Sequence, residues 1–295
     1  MSHVRAHLQA ILSDKFGRPV AIEFVSVIGG GCINETARVK TSEGVFFAKW
    51  NDARRFPHML ALEAKGLQLL KGAGTIKVPD VIAEMTKDNT QYLVLEYITP
   101  LALGRESGSE IFWHTFGAQL ARMHKHSSKT FGLDHNNYIG SLPQSNNHHS
   151  AWSDFFILGR LEPQIKLALD AKRIGSEMVK LFNRLFQRIE NIFPPEPPAL
   201  LHGDLWSGNY MRGKAGEPVL IDPAVYFGHR EMDLAMTKLF GGFENEFYQS
   251  YQEEFPMEKD WQQRADICNL YPLLVHVNLF GGSYASQISI ILSRF

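Results

Sequence analysis

Apolar residues recur at helical spacing at the start of the chain, where Val4, Leu8, Ile11 and Leu12 share one face, and Gly17 and Pro19 end that pattern. The period then shortens. Ala21 to Ile28 reads as a strand, Gly29-Gly30-Gly31-Cys32-Ile33-Asn34 as a turn, and Glu35 to Thr41 as a second strand, with Ala37 and Val39 alternating against Thr36, Arg38 and Lys40. Ser42-Glu43-Gly44 turns into a third strand, Val45 to Trp50, which carries Lys49. Leu60, Ala64, Leu67 and Leu70 predict a helix over Met59 to Lys71 that contains Glu63, and Val81–Glu84 and Gln91–Ile98 read as two further strands.

Beyond Ile98 the character changes. Helices are predicted over Ile111–His126, Trp152–Leu169, Met178–Ile192, Met232–Leu239, Phe247–Glu254, Asp260–Phe280 and Ser286–Ser293, with an irregular segment from Phe131 to His149. Strands dominate before Ile98 and helices after it. The class is therefore α+β, with a β-rich lobe over 1–98, a larger helical lobe over 99–295, and an active site expected between them.

Composition narrows the partners. A chain of 295 residues with 44% hydrophobic content can bury a large core and is long enough to divide in two. Lys and Arg total 30 against 31 Asp and Glu, so nothing in the charge points to nucleic acid. No apolar run approaches the roughly 20 residues of a membrane span, and the N-terminal stretch lacks an apolar signal core, so no membrane partner is expected. Two cysteines, Cys32 and Cys268, make no disulfide framework, and a reducing cytoplasm is the expected setting.

The chemistry concentrates in Leu200-Leu201-His202-Gly203-Asp204-Leu205-Trp206-Ser207-Gly208-Asn209 and in Val219-Leu220-Ile221-Asp222. Each is a short apolar run leading to oxygen ligands. Phosphoryl transfer needs a carboxylate to orient a hydroxyl and accept its proton, and a carboxylate with an amide oxygen for Mg²⁺. Asp204, Asn209 five positions later and the downstream Asp222 match that spacing. Gly203 in place of an arginine, and Pro223 in place of a phenylalanine after Asp222, point to small-molecule kinases rather than protein kinases.

The glycine run is followed by a strand rather than a helix, so it reads as a flap over nucleotide phosphates or as an ordinary hairpin turn. In the flap reading Gly30, Gly31, Cys32, Ile33 and Asn34 approach the phosphates of ATP. Lys49, flanked by Phe47 and Ala48, needs a partner if buried, and Glu63 with the phosphates would supply one. Adenine is expected at the end of the last strand, on the Glu96 carbonyl and the Ile98 N–H.

Four stretches carry a family resemblance: Gly29 to Asn34, Leu200 to Asn209, Ile221-Asp222-Pro223-Ala224-Val225-Tyr226-Phe227-Gly228-His229-Arg230-Glu231, and Asp233 to Met236 with Leu239 to Phe243. The chain resembles the fructosamine kinase (ketosamine-3-kinase) family, on the protein-kinase-like fold shared with aminoglycoside phosphotransferases. The resemblance spans Val27 to Arg294 and implies ATP- and Mg²⁺-dependent phosphorylation of a sugar hydroxyl on a ketosamine, free or protein-linked, as a repair activity. It implies Asp204 as catalytic base, Asn209 and Asp222 as Mg²⁺ ligands, and Lys49 with Glu63 on the phosphate side. Two departures stand out, Trp50 after the lysine and Glu35 after Asn34. An aminoglycoside- or choline-type phosphotransferase and a nucleotide-binding pseudokinase are the competing readings.

Other residues carry weaker expectations. Trp206 reads equally as a wall for a protonated ketoamine or as a core aromatic. His276 and Asn278 are substrate-site candidates on a late helix that also fit simple packing. Asp233 is expected to cap a helix or brace the catalytic loop, and His202 to act as a structural hydrogen-bonder. His124, His126, His135, His148 and His149 show no metal-ligand spacing and read as solvated loop residues. Cys32 among phosphate-binding amides could be oxidisable, giving either a monomer or a redox-dependent Cys32–Cys32 homodimer.

Overall fold

In the computed structural model, which describes residues 2–29, 33–102 and 109–295, the first elements are α1 (Ser2–Phe16), β1 (Ile22–Val27), β2 (Glu35–Thr41), β3 (Gly44–Asp52), α2 (Met59–Ala73), β4 (Val81–Lys87) and β5 (Thr90–Glu96). Next come α3 (Ser109–His124), β6 (Asn137–Ile139), β7 (Leu142–Gln144), α4 (Trp152–Asp154), a π-helix (Phe155–Leu161), α5 (Glu162–Asp170) and α6 (Ser176–Phe186). After a 3₁₀ turn (Ile189–Asn191) follow β8 (Ala199–Leu201), β9 (Tyr210–Arg212), β10 (Pro218–Leu220), β11 (Tyr226–Gly228), α7 (Glu231–Leu239), α8 (Asn245–Glu254), α9 (Trp261–Cys268), α10 (Leu270–Phe280) and α11 (Tyr284–Leu292). The chain forms two compact units, Met1–Gly108 with Met211–Asp222, and Ser109–Tyr210 with Pro223–Phe295. Among the described residues no helix is long and apolar enough to cross a membrane.

The first unit is a five-stranded antiparallel sheet in the order β1-β2-β3-β5-β4. Strand pleating separates its two faces. Phe46, Ala48 and Trp50 join Ala37, Val39, Tyr92 and Val94 in a core closed by Leu8, Ile11 and Leu12 of α1. Lys49, between Ala48 and Trp50, therefore points to the opposite face. The Trp50 departure is thus a core residue packed under α1. Glu35 is exposed at the start of β2.

Helix α2 packs against β4 and β5. Its N-terminus has no side-chain cap from His58, which is left-handed at φ 59°. Instead the buried Gln91 amide oxygen accepts the Leu60 N–H at 2.9 Å, taking up one of the amides that a helix start leaves open. Gly74, at φ 65°, ends the helix in the left-handed conformation that glycine adopts without strain.

The second unit holds the larger core, in which α5, α6, α7, α9, α10 and α11 contribute buried apolar residues. One helix predicted as continuous is interrupted, and another changes its hydrogen-bond period partway. The Asp260–Phe280 pattern splits at Asn269, because Pro272 has no N–H and cannot continue a helix from α9, whereas it fits the first turn of α10. The Trp152–Leu169 segment is helical throughout, with a π-helical middle and Pro163 in the first turn of α5. Pro163 leaves the Gly159 carbonyl without its helical donor, and the buried Arg160 guanidinium bonds that oxygen at 3.1 Å. The segment from Phe131 to His149, read as irregular, contains the short hairpin β6–β7. Side-chain amides rather than apolar alternation hold it: Gln144 donates to the Asn137 amide oxygen (2.8 Å), as does Asn146 (2.9 Å), and Asn137 donates to the Val225 carbonyl (2.8 Å).

Candidate active site

The first unit supplies a charged triad. Lys49 is buried (3% exposed) and its ammonium bonds Glu63 on α2 at 2.7 Å and the Asp222 carboxylate after β10. Burial works against the Lys49 charge, but Asp222 and then Glu63 outweigh it, and the pKa is raised. Burial pushes the Glu63 carboxyl up, against the pull of Lys49. Asp222 keeps half of its side chain exposed. It is held because the Leu220 N–H bonds the Lys77 carbonyl at 2.9 Å and Val219 pairs with Lys77. Its backbone is left-handed, at φ 54°, immediately before Pro223. Such a conformation is uncommon outside glycine and concentrates at functional positions.

Asn34 and the Gln91 network meet in the same unit. Asn51 on β3 donates to the Asn34 amide oxygen at 2.6 Å, and Gln91 in turn donates to Asn51. The end of the proposed flap is thereby linked to the start of α2 by Asn51 and Gln91, two strand residues that belong to no motif. Ile33 is partly buried beside Asn34. Gly30, Gly31 and Cys32 lie outside the described residues, and the redox role expected of Cys32 lies there with them. Glu96 closes β5, with its N–H bonded to the Asp80 carbonyl at 2.8 Å and its carboxylate to Lys77 at 3.1 Å; Ile98 is buried just beyond.

The second unit supplies the loop that carries Asp204 and Asn209. β8 pairs with β11 with Leu201 opposite Tyr226, and the Ala224 N–H bonds the His202 carbonyl at 2.9 Å. Gly203 sits at φ 82°, and a Cβ there would lie 2.1 Å from the Ala224 carbonyl oxygen. An arginine could not occupy this position, which is the physical reason for the His-Gly-Asp departure from the protein-kinase pattern. The Asn209 amide nitrogen donates to the Asp204 carbonyl at 2.8 Å and to its carboxylate at 3.0 Å. The amide of Asn209 is thereby oriented against Asp204, five residues earlier.

Asp233 braces the loop. Its two oxygens accept the His202 N–H at 2.7 Å and the Gly203 N–H at 2.9 Å. His124 bonds the same carboxylate at 3.2 Å and the Tyr251 hydroxyl at 2.8 Å. Burial alone would raise the Asp233 pKa, but His124, His202 and the Gly203 N–H hold it below the usual carboxylate value. The Asp204 N–H bonds the His202 imidazole at 3.3 Å, so His202 is a structural hydrogen-bonder. His124 corrects the expectation of a solvated loop residue: it lies in the last turn of α3, 2% exposed, because Asp233 and Tyr251 satisfy both of its nitrogens.

Trp206 is part core and part surface. At 37% exposure it covers Gly208, where a Cβ would meet the indole at 2.4 Å, so the Trp-Ser-Gly run works as one packed unit. The indole meets Phe240 edge-on at 5.9 Å, and Phe240 meets His276 at 4.9 Å. His276 donates from Nδ1 to the Pro272 carbonyl at 2.7 Å, and burial lowers its pKa against the effect of that bond. The two tentative substrate residues on α10 therefore separate. His276 stands in an aromatic row with Trp206, whereas the buried Asn278 directs its amide to the backbone and side chain of Gln164 on α5.

Comparison with known proteins supplies the family. The sequence profile of the fructosamine kinase family matches residues 4–295. A probable ketoamine kinase of Enterococcus faecium is 38% identical over 291 residues, covering 98% of this chain and 99% of its own. The chloroplastic protein-ribulosamine 3-kinase of Arabidopsis thaliana is 37% identical over 284 residues, covering 95% of this chain and 84% of its own. The crystal structure of a candidate fructosamine-3-kinase from Thermobifida fusca superposes with a TM-score of 0.86 at 32% identity, covering 97% of each chain. An aminoglycoside phosphotransferase, APH(4)-Ia, shares the kinase-like fold at a TM-score of 0.65 and 14% identity, covering 97% of this chain and 98% of its own. With a family match running from residue 4 to the last residue and relatives above one-third identity along the whole chain, the protein belongs to the fructosamine kinase family.

Proposed function

We propose that the protein is an ATP-dependent kinase that phosphorylates a hydroxyl on the sugar part of ketosamines, a deglycation repair activity. The observation that carries this reading is the Asp204–Asn209 pair on a loop whose backbone amides are fixed by Asp233. Asp204 orients the acceptor hydroxyl and takes its proton while the new O–P bond forms and ADP leaves with the electrons of the broken P–O bond. Lys49 holds ATP phosphate, and Glu63 keeps its ammonium in place. Asn34, held by Asn51, stands on the phosphate side, and the backbone of Glu96 and Ile98 receives adenine.

A carboxylate and an amide oxygen, from Asp222 and Asn209, are the hard donors that suit Mg²⁺, which bound there would neutralise phosphate charge. Trp206 presents its face to the protonated amine of the substrate. His276, its Nδ1 proton held by Pro272, offers Nε2 to a sugar hydroxyl. The cytoplasm, with its reducing conditions, fits a chain whose Cys268 is free and buried. A kinase assay with ribulose-, erythrulose- and fructose-lysine tests the reading. ADP release that depends on one of these amines, and that Asp204→Asn abolishes, supports it. Turnover with none of them, or unchanged turnover in Asp204→Asn, overturns it.

A further inference from the structure

One cluster of ligating side chains lies apart from the phosphoryl-transfer residues. His3 and His7 are four positions apart on α1 and so share one face. Asp88 stands in the two-residue turn between β4 and β5, where Asp88 (φ 48°) and Asn89 (φ 62°) are both left-handed, as a tight hairpin turn requires. The turn brings the Asp88 carboxylate to 3.3 Å from His7 Nε2, and the rings of His3 and His7 lie 3.8 Å apart. One ligand atom from each of the three residues lies within 4.8 Å of those from the other two.

The buried Tyr92 hydroxyl bonds His7 Nδ1 at 2.8 Å. That bond fixes the ring and leaves Nε2 as the atom facing Asp88. A hydrogen-bond partner behind a ligating imidazole is the usual support of a metal site.

We propose that His3, His7 and Asp88 form a binding site for a divalent transition cation, Zn²⁺ foremost, that ties α1 to the β4–β5 turn. Two imidazoles and a carboxylate are a donor set that such ions take up at about 2.0–2.2 Å, with a further position open to water. The 3.3 Å between His7 Nε2 and Asp88 Oδ2 already matches the edge of a tetrahedron with bonds of about 2 Å. His3 completes the set by a side-chain rotation on the exposed first turn of α1. The site is independent of the proposed kinase reading, because none of its residues takes part in that chemistry.

The test uses the full chain without a polyhistidine tag, at about pH 7.5, where unperturbed histidines are neutral. Co²⁺ is titrated while its visible d–d absorption is followed, and Zn²⁺ is then added to displace it. The thermal midpoint is recorded with and without Zn²⁺. The expected result is one equivalent of Co²⁺ with a tetrahedral-type spectrum, displaced by Zn²⁺, and a raised thermal midpoint.

His3→Ala and Asp88→Asn should each weaken Zn²⁺ binding by about 10-fold or more, and Tyr92→Phe by about 10-fold. His3 is exposed and asparagine tolerates the left-handed backbone of position 88, so both variants should fold. His148→Ala, at an exposed histidine bonded to Thr130, should bind as wild type does. Absence of saturable binding overturns the proposal and leaves an ordinary His7–Asp88 ion pair. Equal binding by wild type, His3→Ala and Asp88→Asn overturns it equally, since the ion would then sit elsewhere.

Discussion

The Lys49 triad and the Asp233 brace are both buried charged clusters, yet they are built for opposite ends. Lys49 holds two carboxylates, one mostly buried and one half-exposed, and in the proposed function the exposed partner, Asp222, is the one an incoming ligand draws away. Asp233 holds two backbone amides and a histidine that is itself fixed by Tyr251, so every partner belongs to the fold. In the proposed function the first cluster exchanges partners. The second is charged so that it cannot. Buried charge therefore carries no single meaning: the exposure of the least buried member separates a working site from a brace.

Substitutions in each cluster should separate along that line. Asp204→Asn, on the braced loop, should lower kcat by about 10³-fold or more with ATP binding retained, measured by turnover alongside nucleotide titration. Lys49→Met should reduce kcat/KM by about 10²-fold while moving the thermal midpoint little, because Glu63, already raised by burial, can take up a proton.

Asp233→Asn should behave in the reverse way, costing about 2–4 kcal/mol in denaturant unfolding because one of the two loop amides loses its acceptor. Its folded pKa lies below the unfolded value. The stability it contributes is therefore present above the unfolded carboxylate pKa of about 3.9 and is lost as the pH falls through the folded value; wild type should show this acid-side loss and Asp233→Asn should not. Trp206→Ala should raise KM for the ketosamine by about 10-fold with a smaller change in kcat, if its face meets the substrate amine. Trp50→Leu should be the mildest for chemistry, changing kcat by less than about twofold while costing about 1–3 kcal/mol of stability. A large fall in kcat there would break the separation of the two faces of β3.

The strands and helices of the first unit were readable because each follows one period. Glu35–Thr41 alternates cleanly, as read, and pairs with β3. The proposed catalytic loop stood out because Asp204, Asn209 and Asp222 stand at fixed spacing after apolar runs. What the pattern hid was set by contacts remote in sequence. The β6–β7 hairpin rests on Asn137, Gln144 and Asn146, which read as loop composition until their amides are seen to bond one another. His124 looked solvated because its two partners, Asp233 and Tyr251, are more than one hundred positions away. The break at Asn269 had a local sign, Pro272, outweighed by the apolar run around it. The His3–His7 spacing was also legible, but only the β4–β5 turn brings Asp88 to it.

Lys49 and Trp50 are consecutive, yet one belongs to the ion triad and the other to the core beneath α1. One short strand thus meets two different demands in alternate positions. Drift in α1 can be absorbed at Phe46, Ala48 and Trp50 without touching the lysine, and a search for distant relatives gains by scoring the odd and even positions of this strand apart.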